Sequence, residues 1–262
     1  MGPGWRRWAV GLLAVLLLVL LHRGLLFPPK ALTMVDEPCA PVAGTSQMVP
    51  RGDWAAICAY HADNALLIAA GIRPQLVLFG DSLVQDWSER QPGPFRSAWV
   101  GRGVRGQGTT RMLARFRSDV IALKPQAVII VGGTNDLIAA DTRIGPDQSL
   151  ANIETLVDLA EANGIAVILT TLPPVERFST RPGFAPQPFI AQLNRQLREL
   201  TQRRGLILAD FHAAMVAPDG ATYRPGFSDD GIHPSPAAYR ALEPVVRSAL
   251  AESQEKRNKS TP

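Results

Sequence analysis

Four short segments carry residue types that can do chemistry together: Gly80-Asp81-Ser82-Leu83, Gly103-Val104-Arg105-Gly106-Gln107, Gly132-Gly133-Thr134-Asn135-Asp136 and Asp230-Gly231-Ile232-His233-Pro234. A serine hydroxyl is a poor nucleophile until a base takes its proton during attack, and histidine is the base suited to that near neutral pH. Asp230, three residues before His233, is spaced to accept the second ring N–H, which would fix the tautomer and stabilise the imidazolium. Asp229 is the nearest competitor for that place. A tetrahedral intermediate also needs hydrogen-bond donors for its oxyanion, and backbone N–H groups of glycine turns and an asparagine amide can supply them.

The elements around these segments say where they meet. Leu76 to Phe79, Trp99 to Val104, Ala127 to Val131, Ile165 to Thr171 and Leu206 to Ala209 read as buried strands; Trp54 to Ala70, Thr109 to Leu123, Leu150 to Asn163 and Phe189 to Arg203 read as helices. Strand and helix alternating over five units predict an α/β fold, a parallel sheet covered by helices on both faces. Sites in such sheets lie beyond the carboxyl ends of the strands, where the first three chemical segments fall.

These four blocks, in this order, resemble the SGNH (GDSL-type) hydrolase family, named for a Ser, a Gly, an Asn and a His. The likeness covers roughly residues 74 to 250. Any one block is weak, whereas all four in order at strand ends are specific. The resemblance implies a three-layer α/β/α sandwich with a five-stranded, flavodoxin-like parallel sheet. It also implies a serine esterase working through an acyl-serine intermediate, with Ser82 as nucleophile, His233 as base and Asp230 as its partner. The oxyanion donors it implies are the Ser82 backbone N–H, the Gly106 N–H and the Asn135 side chain. The second block departs from the family pattern: Gly101 stands where an asparagine often precedes Arg-Gly, and Gly108 adds a residue before Thr109 and Thr110. Gly103 is therefore the alternative to Gly106. Asp81 and Asp136 are expected to support their loops. The Pro-rich stretch Leu172 to Pro188, with Phe178, Phe184, Arg177 and Arg181, is expected to wall the acyl or alcohol site.

Other chemistries find less support. The Gly-x-Ser-x-Gly elbow of α/β-hydrolases is absent. His61 and His212 have no ligand-spaced partners beyond Asp210, and two cysteines alone make no metal site, so no metal and no cofactor is expected. Neither the dinucleotide nor the P-loop fingerprint is present. Two other functions fit the same residues: O-acyl transfer to a sugar hydroxyl, and an inactive, envelope-anchored binding module. Substrate class stays open among lysophospholipids, short-chain esters and acetylated sugars.

The chain has 262 residues, 46% hydrophobic and 19% charged, room for one sizeable core. Its formal charge is +4, but residues 1 to 35 hold Arg6, Arg7, Arg23 and Lys30 and no acid, leaving 23 basic and 23 acidic groups in the remainder. Nucleic acid is therefore not an expected partner of the domain. Arg6 and Arg7 precede an apolar run from Trp8 to Leu21 that resumes after Arg23 and ends at Phe27. That is a signal or anchor segment, read as an uncleaved anchor because no clear Ala-x-Ala site follows, the alternative being a cleaved signal peptide and a secreted domain. It would place the domain outside the cytoplasm, periplasmic or at the cell surface, tethered by residues 8–27. The expected organisation is segment 1–27, linker 28–52, hydrolase domain 53–252 and polar tail 253–262. Cys39 and Cys58, the only cysteines, are expected to form a disulfide in that oxidising compartment.

Overall fold

The structure, a computed structural model, describes residues 17–18, 39, 52–96, 98–138, 143–179, 181 and 183–260. The chain divides into two units, Met1–Pro38 and Cys39–Pro262. Of the first only Leu17 and Leu18 are described, both helical, so the anchor and most of the linker lie outside the described residues. Among the described residues no helix is long and apolar enough to cross a membrane.

The second unit holds five parallel strands: β1 (Leu76–Gly80), β2 (Trp99–Gly103), β3 (Ala127–Val131), β4 (Ala166–Thr170) and β5 (Ile207–Ala209), in the order β2-β1-β3-β4-β5. The helices are α1 (His61–Ala69), α2 (Ser82–Arg90), α3 (Thr109–Asp119), α4 (Pro146–Glu161), α5 (Gln187–Arg204), α6 (Phe211–Met215) and α7 (Pro236–Ser260). Alternate strand residues face opposite layers, as the two-residue period of a strand requires. Val77, Phe79, Val128, Ile130, Val167 and Leu169 pack against Met112 and Phe116 of α3, Ile153 and Leu156 of α4, and Leu193 and Leu197 of α5. Leu76, Leu78, Ile129 and Ile168 pack against Val84 and Trp87 of α2 and Tyr239, Leu242 and Val246 of α7. This is the expected three-layer α/β/α arrangement.

Local chemistry moves several element ends. The helix expected from Trp54 begins only at His61: the Asp53 carboxylate accepts the N–H groups of Ile57 (2.8 Å) and Cys58 (2.9 Å), and Ala56 is left-handed at φ 54°, so residues 53–60 stay in turns. The helix expected over Thr109 to Leu123 stops at Asp119, and Ile121–Leu123 form a 3₁₀ turn closed by left-handed Lys124. The residues expected as a polar tail instead continue α7 to Ser260. There Lys256 donates to the Gly205 carbonyl and Arg257 to that of Gln126, the cations lying near the helix C-terminus where its dipole favours them.

The register sets the site. Gly80 lies opposite Gly103 on one side and Val131 on the other, so β1, β2 and β3 end level and the segments that follow them emerge side by side. Gly103 has no room for a side chain: a Cβ there would lie 2.3 Å from the Gln85 nitrogen and 2.6 Å from the Asp81 carbonyl oxygen. The start of α2 therefore sits directly on the end of β2.

Candidate active site

Ser82 is the first residue of α2, with Asp81 as its N-cap accepting the Leu83 N–H at 3.0 Å. The Ser82 Oγ lies 3.2 Å from His233 Nε2, and His233 Nδ1 lies 2.7 Å from Asp230 Oδ2. The serine is 8% exposed, while the His233 and Asp230 side chains are 31% and 51% exposed. The structure thus brings Ser82, His233 and Asp230 into one hydrogen-bonded line from residues 151 positions apart. Burial raises the Asp230 carboxyl, but the hydrogen bonds from the His233 ring and from the His233 and Ile232 N–H groups outweigh it and hold the group down at about 2. Asp229, its competitor, is exposed and has no such role in the line.

The loop bearing that pair is pinned from below. Ser228 Oγ donates to the His233 carbonyl at 2.8 Å and accepts the Gly231 N–H at 3.0 Å. The Gly231 carbonyl accepts the Glu176 N–H at 2.8 Å, the Glu176 carboxylate takes the Tyr223 N–H at 3.1 Å, and the Tyr223 hydroxyl donates to the Ile232 carbonyl at 2.7 Å. The loop after β4 therefore braces the loop that carries His233. Phe178 of that loop is buried rather than lining a binding wall, with Phe184 packed over it at 6.2 Å between ring centroids.

Asn135 is 9% exposed and reaches the Ser82 segment through Asp81: its Nδ2 donates to Asp81 Oδ2 at 3.1 Å and to the Gln107 carbonyl at 3.2 Å. Gly106 sits in an exposed left-handed turn (φ 72°) beyond β2. Arg105 ties that turn to α2, pairing with Asp86 and with Glu89 (3.0 Å) and donating its backbone N–H to Gln85 Oε1 (2.9 Å). Gly108, the added residue of the second block, has a physical reason. A Cβ there would lie 2.4 Å from Asp136 Oδ1, the atom that accepts the Thr109 N–H at 2.7 Å. Asp136 also accepts the Thr109 hydroxyl at 2.8 Å, and burial raises its pKa against these bonds.

Beneath these segments lies a network that sequence reading passed over. Arg115 is fully buried and donates to the carbonyls of Gly80 (2.6 Å) and Arg102 (2.9 Å), to Asp119 (2.8 Å) and to the Gln107 side chain. Gln107 in turn donates to the Ala55 carbonyl at 2.7 Å. One guanidinium thus ties the ends of β1 and β2 to the turn behind Asn135. The Arg115/Asp119 spacing of four was visible on a predicted helix, but such pairs usually face solvent. Among the described residues no cluster of three or more His, Cys, Asp or Glu could hold a metal ion. A cavity of about 350 Å³ beyond β4 and β5, lined by Pro174, Asn194, Arg198 and His212, contains no residue of the Ser82 line.

The sequence matches the model of the GDSL-like lipase/acylhydrolase family over residues 78–241. The chain belongs to that family. Its fold is similar to that of a candidate acylhydrolase from Bacteroides fragilis: 34% identity, TM-score 0.72, covering 77% of this chain and 98% of that one. A GDSL-like lipase from Bacteroides thetaiotaomicron gives 30% identity and TM-score 0.70, over 76% of this chain and 98% of its own. An acetyl-xylooligosaccharide esterase from Geobacillus, at 19% identity and TM-score 0.55 over 67% and 93%, shares the fold. No curated protein sequence matches significantly. As a GDSL-like acylhydrolase, the protein is a hydrolase acting on ester bonds.

Cys39 and Cys58 are joined in a disulfide, with Cα atoms 5.2 Å apart. The bond fastens the chain at Cys39 to the turns that precede α1.

Proposed function

We propose that this GDSL-like acylhydrolase cleaves carboxylic esters through an acyl-serine intermediate formed on Ser82. The observation that carries the reading is the unbroken line from Ser82 Oγ through the His233 ring to the Asp230 carboxylate, 3.2 Å and 2.7 Å long. His233 takes the hydroxyl proton as Ser82 Oγ attacks the ester carbon, then returns it to the leaving alcohol oxygen. Water, losing a proton to the same nitrogen, attacks the acyl-serine, and His233 passes that proton to Ser82 Oγ as the acid leaves. Asp230 stays ionised and balances the imidazolium. The oxyanion is held by the Ser82 N–H, the Asn135 amide and the Gly106 N–H; a left-handed glycine turn bound to α2 by Arg105 supports the last of these.

The same reading places the domain outside the cytoplasm, tethered by residues 8–27. Its support is the apolar run behind Arg6 and Arg7 and a disulfide of the kind that persists in oxidising compartments. The domain would span 53–252 of the sequence, with α7 extending it towards Ser260.

The test is hydrolysis of p-nitrophenyl esters of increasing chain length by the full chain, beside Ser82→Ala. The native protein should turn over with an acyl-length optimum, and Ser82→Ala should lose activity while unfolding at the same temperature. Equal activity in the variant would sink the mechanism.

A further inference from the structure

We infer that the outer face of α1 and the turns before it, Trp54 to Ile72, form a lipid-contacting surface of the domain that lies in the interfacial zone of the bilayer. The inference rests on the proposed tether by residues 8–27 and goes beyond it in naming the face of the domain that meets lipid.

This surface stands apart in composition. Among the described residues of the second unit, six large apolar side chains are exposed, and five of them, Trp54, Ile57, Leu66, Ile68 and Ile72, belong to this stretch. From Ala65 to Ile72 every residue but Leu67 is exposed, and none is charged. The longer helices are built otherwise: Asp158 and Glu161 of α4, Arg195 and Glu199 of α5, and Arg240 and Arg247 of α7 are exposed. The inner side of α1 is already occupied. Asn64 is buried and donates to the Ser118 carbonyl at 3.1 Å and to Asp119 at 2.8 Å, and Leu67 packs against the core that holds Met112 and Phe116. Leu66 and Ile72 also wall a groove of about 630 Å³ against Phe95 and Trp99 at the β2 edge of the sheet. A continuous apolar face left in water on this scale marks a contact surface.

The chain's own connection decides what covers it. The Cys39–Cys58 bond fastens the chain within this stretch, one residue from Ile57. Only residues 28–38 separate Cys39 from Phe27, where the apolar run ends, and they reach at most about 40 Å when fully extended. A bilayer that takes up residues 8–27 is therefore always within reach of this surface. The tether makes contact with lipid an intramolecular event, for which a modest apolar face suffices. The residue types agree: Trp54 is 59% exposed, and tryptophan favours the headgroup level, while His61 and Arg73 bracket the helix and Asp63 is the stretch's single acid. The surface is also fixed to the site. The Ala55 carbonyl accepts from the Gln107 side chain at 2.7 Å, and the Tyr60 hydroxyl donates to the Gly103 carbonyl at the end of β2.

Photolabelling of the full-length chain tests this, in vesicles of phosphatidylcholine and phosphatidylglycerol that carry a phospholipid with a diazirine in its acyl chain. After flotation and irradiation, peptides covering 54–73 should carry lipid adducts beside those of 8–27, and peptides of α5 and α7 should carry none. Leu66→Glu with Ile68→Glu should cut the 54–73 adducts about tenfold, since an ionised carboxylate resists leaving water. The adducts on 8–27 and the denaturant midpoint in detergent should stay as they are, because both side chains are exposed. Adducts on 8–27 with none on 54–73 would overturn the inference and leave the tether standing. Undiminished labelling in the double variant, or equal labelling of α5, would overturn it too, since lipid would then reach the stretch by proximity alone. Cross-links between the 54–73 stretches of two chains, without lipid adducts there, would give the face to a second copy. A chain that neither floats nor labels at 8–27 removes the tether, and the inference with it.

Discussion

Two aspartates approach Ser82 from opposite environments. Asp230 lies on a half-exposed loop, surrounded by donors, and is held at about 2; Asp81 lies one residue before the serine, fully buried, and burial pushes it up to about 7 despite the Leu83 N–H and nearby His233. The loop region is built to keep a charge beside the histidine. The buried region is built to hold directions, through Asp81, Asn135, Gln107 and Arg115, and carries its carboxylate at a cost. The contrast is a division of labour in which a carboxylate charge is kept where solvent reaches and directions are set where it does not.

The sharpest way to break that division is at His233. His233→Ala should lower kcat on the order of 10⁶-fold and Asp230→Asn on the order of 10⁴-fold, if nucleophile, base and orienter act as one unit. Neither should change the unfolding free energy by more than about 1 kcal/mol, because both side chains are substantially exposed. A variant that loses activity only in step with folded protein would show that the loop has a structural role after all.

The segments at the strand ends and the loop of Asp230 and His233 were the legible part. Asp230 and His233 keep a local spacing of three, the resemblance of the four ordered blocks to one family brought them together with Ser82 and Asn135, and those two follow strands whose continuous apolar runs announce them. The five strands were legible for the same reason, each being buried on both faces. The floor was not, because its parts come from distant places: Arg115 from mid-helix, Gln107 from a glycine turn, Ala55 from a stretch that reads as helix. Nothing local distinguishes a buried Arg115–Asp119 pair from a surface one; only the Gly80 and Arg102 carbonyls that end above it do. Gly108 appeared as a departure from the family pattern and is required by the Asp136 carboxylate beside it. The early end of the first helix was hidden in the same way, in an Asp53 side chain that takes the N–H groups a helix would need.

The next effect in size lies at the edge of the domain. The Cys39–Cys58 bond closes a loop of 19 residues in sequence separation, worth about 3 kcal/mol in the chain-entropy model. Reduction, or Cys39→Ser with Cys58→Ser, should lower the denaturant midpoint accordingly while leaving kcat per folded molecule unchanged, since neither cysteine belongs to the loop or the floor. Identical denaturation curves with and without reductant would show that the bond contributes nothing to the fold.

The smallest effects compare the two aspartates directly, by pH. The folded value of Asp81, about 7, lies above its ordinary 3.8, so the native state keeps a proton that the unfolded chain releases. Stability from this group is complete below about pH 4 and is lost as pH rises towards 7. Asp230 runs the other way: its folded value of about 2 lies below 3.8, so its stabilisation is present above about pH 4 and is lost as pH falls through 2. Asp81→Asn, which stays neutral throughout, should therefore gain on the native protein by about 1–3 kcal/mol between pH 4 and pH 8, the order of the cost of desolvating a buried group. Asp230→Asn should lose less than about 1 kcal/mol at pH 7, because solvent screens an exposed pair, and that loss should fade towards pH 2. Urea unfolding of both variants and the native chain across pH 3 to 8 measures the two differences. Slopes of the same sign would mean that one environment governs both carboxylates, and the division between charge-keeping loop and direction-keeping floor would fall.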